Sequence, residues 1–241
     1  MRAAELIRAW DSLPFADPAE LFPEGAPLVL APHPDDESLG CGGIIAACRS
    51  ASVVIVTDGA ASHPGSRRWP AAELRRLREA EAREATRRLG LAEERLHFLG
   101  LPDSAAPHNG PEFDAAVGAI AAIAGQQRCS AILATWGHDP HRDHQATAAM
   151  ARAAARLARL PLYFYPVWGW TLPDDAMLPP GAGAEGWRVR IAAQLDAKRA
   201  AIAAHRSQTT DMIADATIPW HVPPEMRQIF ERPFEVLLRG T

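Results

Sequence analysis

The sequence contains a short cluster of one histidine and three acidic residues whose types suit a metal-dependent hydrolytic site. The cluster reads HPDDE and occupies residues 33–37. An imidazole and a carboxylate three positions apart can converge on one cation, because both are good zinc ligands. A neighbouring carboxylate that stays unligated can then take a proton from water at the metal. By itself the cluster could also be an acidic helix start, in which the carboxylates complement the helix dipole.

A second cluster contains three histidines at intervals of three residues. It reads WGHDPHRDH over residues 136–144, so its histidines are His138, His141 and His144. The cluster follows an apolar run at residues 131–135, as expected at the end of a strand. We interpret His138 as a solvated loop residue, because a spare histidine in a polar loop needs no special role. The other two histidines are candidates for the chemistry.

The two clusters together supply the groups that a catalytic zinc site requires. Such a site typically has three protein ligands and one open position for water. His33 and Asp36 supply two ligands, and one histidine of the second cluster supplies the third. The remaining histidine could transfer a proton or stabilise a tetrahedral intermediate, and Asp143 could hold it in the correct tautomer. The residues alone leave both His141 and His144 open as the third ligand.

The two clusters resemble the motifs of the PIG-L/LmbE-type zinc N-deacetylases. That family is marked by A-H-P-D-D-E or P-H-P-D-D-E after the first strand and by H-x-D-H after a later strand. This sequence has the proline form at residues 32–37 and HRDH at residues 141–144. The order of the elements between the motifs is also similar, so the resemblance covers the larger, N-terminal part of the chain.

The resemblance implies a role for each charged residue of the two motifs. Three of them are the implied ligands of one zinc ion (Zn2+): His33, Asp36 and His144. Asp35 is the implied general base, and His141 is the implied acid or oxyanion partner, tuned by Asp143. The implied reaction removes an acyl group, such as acetyl, from the amide nitrogen of a small amino-sugar or glycoconjugate substrate.

The same resemblance makes two loop residues candidates for substrate binding. Relatives with sugar substrates use an arginine in the loop after the second strand and an aspartate after the third. Arg68 and Asp103 stand at those places. Their positions in polar loops are equally expected of ordinary surface residues, so both alternatives stay open. Some relatives carry an active-site tyrosine just before the second motif, where this chain has Asp139, and a tyrosine-assisted step is therefore not carried over.

Alternating strands and helices must position these residues. Apolar runs predict strands at residues 27–31, 52–57, 95–99, 129–135, 162–167 and 187–191. Helix-like segments lie between the first five of them, at residues 39–49, 71–89, 113–127 and 145–160, and a further helix through Lys198 to His205 follows the last strand. This alternation is typical of a Rossmann-like α/β fold, a three-layer sandwich around a mostly parallel central sheet. Ligands bind such sheets beyond the carboxyl ends of the strands, so we expect the active site at that edge.

The helix predicted at residues 71–89 carries two charges, Arg78 and Glu81, in the middle of its apolar stripe. Charges on a buried face must be paired. We interpret these two residues, at i,i+3 spacing, as a structural ion pair with each other. A catalytic role for Glu81 is the alternative.

Length and composition limit the classes of protein and partner. A chain of 241 residues is predicted to form one domain over residues 1–241. The net charge of -4 gives no electrostatic reason to bind nucleic acid or an anionic membrane. No apolar stretch is long enough to cross a bilayer, and the first residues lack a signal-peptide pattern. The cysteines form no CxxC pair, so a reduced, cytoplasmic protein is expected.

The expected partner is a small N-acyl amino-sugar-like molecule. The aromatic stretch at residues 163–170 suits a sugar ring, an acyl chain, internal packing or a subunit interface, so a homo-oligomer stays open. Two other classes of protein also stay open. One is a metal-dependent phosphoester hydrolase, which usually uses two metals, and the other is a non-catalytic sugar- or metal-binding module. An implied base and acid beside the ligands favour the amide hydrolase.

Overall fold

The computed structural model describes residues 1–23, 25–179, 181–183, 185–218 and 221–240. Its strands are β1 (Phe15–Ala16), β2 (Pro27–Ala31), β3 (Ser52–Thr57), β4 (Leu96–Leu101), β5 (Ala131–Thr135), β6 (Leu162–Tyr165), β7 (Gly186–Arg190) and β8 (Phe234–Arg239). Its α-helices are α1 (Ala3–Trp10), α2 (Pro18–Leu21), α3 (Asp36–Ala47), α4 (Ala71–Arg88), α5 (Pro111–Gln126), α6 (Arg142–Ala158), α7 (Leu195–Ala204), α8 (Arg206–Thr209) and α9 (Pro224–Phe230).

One eight-stranded sheet runs through the molecule in the order β1-β7-β8-β6-β5-β2-β3-β4. The neighbours β6, β5, β2, β3 and β4 pair in parallel, and so do β1 and β7. Strand β8 is antiparallel to both of its neighbours, β6 and β7. The predicted mostly parallel α/β sheet is therefore confirmed, with one antiparallel strand that the sequence pattern did not indicate.

Helices cover both faces of this sheet and form the predicted three layers. Strand β2 shows how the sequence builds them, because its side chains alternate between the two faces. Val29 and Ala31 join the core that includes α3, α4, α7 and α9, whereas Leu28 and Leu30 join the core that includes α1, α5 and α6. Every residue of β2 is buried, as expected for a continuous apolar run covered on both sides.

Helix α3 packs very closely on the sheet, and two glycines make this possible. A Cβ atom at Gly40 would overlap the ring of Tyr165 on β6, and one at Gly43 would overlap the side chain of Ile191. Glycine weakens a helix interior by roughly 0.5–1 kcal/mol relative to alanine, so packing rather than helix propensity explains these residues. The close approach places the start of α3, where Asp36 stands, at the carboxyl edge of the sheet.

The predicted elements are all present, with ends that differ by a few residues. Strand β6 ends at Tyr165, before the predicted end at residue 167, because Pro166 has no N–H group to donate to the sheet. The elements that were not predicted are α1, β1 and α2 near the N-terminus and α8, α9 and β8 near the C-terminus. Among the described residues, none of the helices combines the length and the apolar character that a membrane-spanning segment needs.

Candidate active site

The two histidine clusters meet at the carboxyl edge of the sheet. Strand β2 ends at Ala31, and residues 32–35 lead into α3; strand β5 ends at Thr135, and residues 136–141 lead into α6. Because β2 and β5 are parallel neighbours, the loops that follow them lie side by side. The fold thus brings together residues that are far apart in the sequence.

His33, Asp36 and His144 form a buried triad of side chains whose types commonly bind metal ions. Oδ2 of Asp36 lies 3.2 Å from Nδ1 of His33 and 3.2 Å from Nε2 of His144. The most exposed of the three residues, His33, is only 8% exposed. Nε2 of His144 is buried, and its 3.2 Å contact with Asp36 lacks the geometry of a hydrogen bond, which is uncommon for a buried polar atom. Two imidazole nitrogens and a carboxylate oxygen are a zinc-type donor set, so these residues fit the metal that the resemblance implies.

Two carboxylates face the other ring nitrogen of His33. Its Nε2 lies 3.1 Å from Oδ2 of Asp143 and 3.3 Å from Oδ1 of Asp103. Asp143 also accepts hydrogen bonds from the backbone N–H groups of Ser104 (2.6 Å) and Ala106 (3.1 Å). A carboxylate on the second ring nitrogen fixes the tautomer and the orientation of a metal-binding histidine. The carboxylate of Asp143 therefore orients His33, whereas the resemblance implied that it tunes His141.

His141 lies beside the triad and is oriented by the backbone. The centroid of its ring is 4.6 Å from that of His33 and 5.1 Å from that of His144. Its Nδ1 accepts a hydrogen bond of 3.2 Å from the backbone N–H of Asp143, so its Nε2 carries the proton. Burial and the neighbouring charges of His33 and His144 lower the pKa of His141. His141 is thus a neutral N–H donor next to the triad, while His138 on the same loop is exposed.

Asp35 is held beside the triad in a backbone conformation that few residues adopt. Its φ of 142° lies in the region that favours glycine, so the residue is strained. Burial raises the pKa of its carboxyl group to about 7, with Arg78 opposing the rise and Asp36 adding to it. Such a pKa suits a group that accepts and later releases a proton near neutral pH.

A buried arginine of α4, Arg78, reaches the same edge of the sheet. Its guanidinium donates hydrogen bonds to the backbone carbonyls of Pro34 (2.7 Å) and Gly59 (3.0 Å). The group lies 3.5 Å from Oδ2 of Asp35 and 4.0 Å from Oδ2 of Asp103. Arg78 therefore places a fixed positive charge between the implied base and a predicted substrate-binding carboxylate.

The predicted ion pair between Arg78 and Glu81 is wrong. Glu81 accepts hydrogen bonds from the N–H (2.8 Å) and the hydroxyl group (2.6 Å) of Ser207. The two side chains are neighbours on α4, but each has its partners in a different part of the chain. The position of Arg78 and Glu81 within the apolar stripe correctly predicted that both side chains are buried. The stripe did not show which residues they would contact.

The two predicted substrate-binding residues lie in different environments. Asp103 lines the cavity described below, and its Oδ2 accepts a hydrogen bond from the N–H of Ala61 (2.9 Å). Arg68 is exposed, and its backbone N–H donates to Asp215 (3.1 Å). Within the described residues, Arg68 is not part of the cavity lining, where Arg78 supplies the guanidinium instead. A substrate-binding role for Arg68 stays a prediction from the resemblance.

Asp139 is a site residue that the sequence did not reveal. Its Oδ2 accepts hydrogen bonds from the backbone N–H groups of Val167 (3.2 Å), Trp168 (2.8 Å) and Gly169 (3.3 Å). Its Oδ1 lies 3.4 Å from Nδ1 of His144. Asp139 therefore joins the segment after β6 to a ring of the triad, as a carboxylate behind a metal-binding histidine commonly does. Its place inside the second cluster was the available signal.

A buried pair, Glu37 and His205, supports the backbone of Asp35. Nε2 of His205 lies 2.9 Å from Oε1 of Glu37, and Oε2 of Glu37 accepts a hydrogen bond of 3.0 Å from the N–H of Asp35. Burial opposes ionisation of Glu37, but His205 and further hydrogen bonds lower the pKa of its carboxyl group overall. The charged pair therefore stabilises the strained backbone of Asp35. The sequence placed His205 at the end of a predicted helix and assigned it no role in the site.

The site opens into a cavity of about 300 Å³. Its polar lining consists of His33, Asp35, Asp36, Ser62, Arg78, Asp103, Ser104, His141 and Gln208. Its apolar lining consists of Leu39, Val167, Trp168, Val222 and Met226. Residues of the aromatic stretch 163–170 have different environments. Trp168 lines the cavity. Tyr165 is buried and donates its hydroxyl group to the backbone carbonyl of Leu30 (2.8 Å).

The fold and the site define an α/β protein with a histidine–aspartate centre at the carboxyl edge of its sheet. The sequence pattern of the PIG-L family, described as GlcNAc-PI de-N-acetylase, matches residues 28–155. This range contains both clusters and more than half of the chain. The chain belongs to the PIG-L family, which confirms the resemblance. No curated protein matches the chain at a significant level.

Several solved structures share this fold. A conserved protein from Thermus thermophilus is 27% identical, with a TM-score of 0.63 over 89% of this chain and 94% of that one. The N,N'-diacetylchitobiose deacetylase from Pyrococcus horikoshii is 20% identical, with a TM-score of 0.67 over 97% and 89%. The 4-carboxy-2-hydroxymuconate hydratase from Pseudomonas putida is 19% identical, with a TM-score of 0.57 over 76% and 80%. Because a deacetylase and a hydratase share the fold, the activity of this chain must be argued from its residues.

Proposed function

We propose that this chain is a zinc-dependent hydrolase that removes an acyl group, such as acetyl, from the amide nitrogen of an amino-sugar substrate. The observation that carries the proposal is the buried triad of His33, Asp36 and His144, with Asp35 beside it. Membership of the PIG-L family supports the same reaction, because the family pattern is described as a de-N-acetylase. The deacetylase among the structures with the same fold agrees with it.

The residues around the triad divide the steps of amide hydrolysis among them. His33, Asp36 and His144 would hold the zinc, which would polarise the amide carbonyl and lower the pKa of water to near neutrality. Asp35 accepts the proton of the attacking water, because its pKa of about 7 leaves a large share of the carboxylate available. His141 donates its Nε2–H to the oxygen that becomes negatively charged in the tetrahedral intermediate. Asp35, now protonated, then gives its proton to the departing amine.

The sugar part of the substrate is proposed to contact Asp103 and Arg78. Both side chains line the cavity, and together they offer carboxylate acceptors and guanidinium donors for hydroxyl groups. Their own separation of 4.0 Å leaves them incompletely paired with each other. Buried polar groups of this kind reject ligands that cannot satisfy their hydrogen bonds.

One observation favours a second candidate function, phosphoester hydrolysis with two metals. His33, Asp103 and Asp143 also offer ligand atoms within 4.8 Å of one another, next to the triad. However, the carboxylate of Asp143 already accepts two backbone hydrogen bonds and faces His33. These contacts are typical of a residue that supports a metal ligand, so we favour the site with a single metal.

Metal analysis and a substrate screen test the proposal together. After purification with sufficient metal we expect about one zinc per chain and release of a primary amine from N-acetylated amino sugars or their conjugates. About two metals per chain together with phosphate release would contradict the proposal in favour of the phosphoester hydrolase. Metal-loaded protein that releases neither amine nor phosphate would contradict both enzymes in favour of a binding module.

A further inference from the structure

The cavity changes in polarity along the edge of the sheet. Ser62 and Asp103 come from the loops after β3 and β4, on one side of β2, and Arg78 lies on the same side. Val167 and Trp168 follow β6, on the other side of β5. The triad, carried by the segments after β2 and β5, lies between a polar side and an apolar side of the cavity.

The apolar side of the cavity begins next to Asp35, the proposed base. Leu39 lies one turn after Asp35 on α3, and its N–H donates to the carbonyl of Asp35 (2.9 Å). Leu39, Val222 and Met226 are almost completely buried and belong to one hydrophobic cluster. Val167 is a member of the same cluster, and Trp168 packs against it. We call these five residues the apolar wall.

The apolar wall is also connected to the triad on the β5 side. The N–H groups of Val167 and Trp168 donate to Asp139, and the other oxygen of Asp139 faces His144. The wall is therefore connected to one implied metal ligand, His144, and through Leu39 to the implied base, Asp35. All five wall residues are uncharged and four of them are wholly apolar, so hydrocarbon can be buried against the wall without leaving a charged group unpaired.

An N-acylated amino sugar has a polar part and an apolar part on opposite sides of its amide bond, as the cavity has on opposite sides of the triad. Its hydroxyl groups lie on the amine side of the amide bond, and its hydrocarbon lies on the acyl side. With the amide at the triad, hydroxyl groups that face Asp103 and Arg78 leave the acyl group facing the apolar wall. An acetyl methyl group is too small to contact five side chains, whereas a longer chain would bury methylene groups against them.

We propose that the apolar wall binds the hydrocarbon chain of an N-acyl group longer than acetyl, so that the enzyme prefers medium-chain N-acyl amino sugars. This inference rests on the proposed function. Water breaks the C–N bond of the amide, its oxygen joins the acyl carbon, and the products are the free amino sugar and a medium-chain carboxylate. The proposed preference concerns the length of the acyl chain and does not concern the sugar.

A chain-length series tests the preference. The metal-loaded full chain is assayed for amine release from N-acetyl-, N-butanoyl-, N-hexanoyl- and N-octanoyl-glucosamine. We expect kcat/KM to rise roughly fourfold for each methylene group that reaches the wall, until the cavity is filled. Values that stay flat or fall with length, while N-acetylglucosamine is hydrolysed, would overturn the inference and leave the proposed function intact. No hydrolysis of any member would overturn the proposed function and the inference with it.

Two variants on α9 test whether the preference for longer acyl chains depends on the apolar wall. Met226→Gln keeps the approximate size of the side chain but places an amide in the wall, so the ratio of kcat/KM for hexanoyl to acetyl substrate should fall by roughly tenfold. Gln228→Ala is the matched control, because Gln228 lies on the same helix and is exposed. Its ratio should equal that of the unchanged protein. An unchanged ratio in Met226→Gln would overturn the inference.

Two further measurements do not depend on the folding of a variant. Calorimetry of the unchanged chain should show tighter binding of hexanoate than of acetate, and equal affinities would overturn the inference.

Octyl glycosides of N-acetylglucosamine should be hydrolysed no faster than N-acetylglucosamine itself. If an octyl glycoside raises kcat/KM while the acyl length has no effect, the wall binds the aglycone and the inference is overturned.

Discussion

Asp35 and Asp36 are neighbours in the chain, yet their surroundings give their carboxyl groups opposite properties. Burial would raise the pKa of both. For Asp36 the charges and hydrogen bonds of His144 and His33 outweigh burial, so its pKa falls below the usual range. For Asp35 burial dominates, and its pKa rises to about 7. Asp36 thus stays ionised, as the proposed ligand must, while Asp35 can exchange a proton, as the proposed base must.

Arg78 should set the pH at which Asp35 becomes active. The positive charge of Arg78 favours the ionised form of Asp35, so Arg78→Met should raise the pKa of that carboxyl group. The base is active only when ionised, so the acid limb of the kcat/KM profile should move to higher pH. The loss of a buried donor to substrate should also reduce kcat/KM by roughly tenfold or more. The measurement is the pH dependence of amine release.

Arg68→Met is the matched control for Arg78→Met, because Arg68 is exposed outside the cavity. We expect it to leave the pH profile in place. A shift in the Arg68 variant together with no shift in the Arg78 variant would return the active-site role to Arg68, as the resemblance placed it.

Asp139 should control how well His144 holds the metal. Asp139→Asn removes the negative charge 3.4 Å from Nδ1 of His144 while keeping the shape of the side chain. Loss of such a supporting carboxylate typically weakens metal binding by roughly 10–100-fold. Zinc affinity is measured by competition with a chelator. The control is His138→Ala, which changes an exposed residue of the same loop and should retain full affinity. Equal affinities of Asp139→Asn and the unchanged protein would show that Asp139 serves only the backbone it binds.

At the scale of the elements, the sequence predicted those parts whose formation depends on local pattern. Strands β2 to β6 are apolar runs between helical segments, and each was found. The missed elements depend on partners instead. Strand β1 has only two residues and exists through pairing with β7. Strand β8 inserts between β6 and β7 although it follows them in the sequence, and no local pattern reports such an insertion.

Helix α3 should be sensitive to a single added methyl group on the face that packs against the sheet. Gly40→Ala would push a Cβ atom into the ring of Tyr165, and overpacking of this kind typically reduces stability by roughly 1–3 kcal/mol. Gly118→Ala on α5 is the matched control, because its Cβ atom would meet nothing within 4 Å. There the higher helix propensity of alanine should stabilise the protein by roughly 0.5–1 kcal/mol. Chemical denaturation of both variants measures the difference, and equal or stabilising effects at both positions would contradict the close packing of α3.

At the scale of the whole molecule, the order of the strands explains where the site lies. The chain passes from β2 to β3 and β4 in one direction, and then returns to β5 on the opposite side of β2. In open α/β sheets the crevice at such a reversal is the usual ligand site. Because both motifs directly follow strands, their meeting at one edge was predictable from the sequence. The contributions of Arg78, Asp139 and His205 were not, since each depends on contacts between distant segments.

Zinc content and turnover of two neighbouring variants test the triad most directly. Asp36→Asn exchanges an anionic ligand oxygen for a neutral amide, so this variant should be purified with little zinc. Asp35→Asn should keep the zinc, because Asp35 is not one of the implied ligands and asparagine has nearly the same shape as aspartate. It removes the proton acceptor, however, and turnover should fall by roughly 10²–10⁴-fold. Loss of zinc from Asp35→Asn with retention by Asp36→Asn would reverse the two assignments. Full zinc and full turnover in both variants would contradict the site altogether.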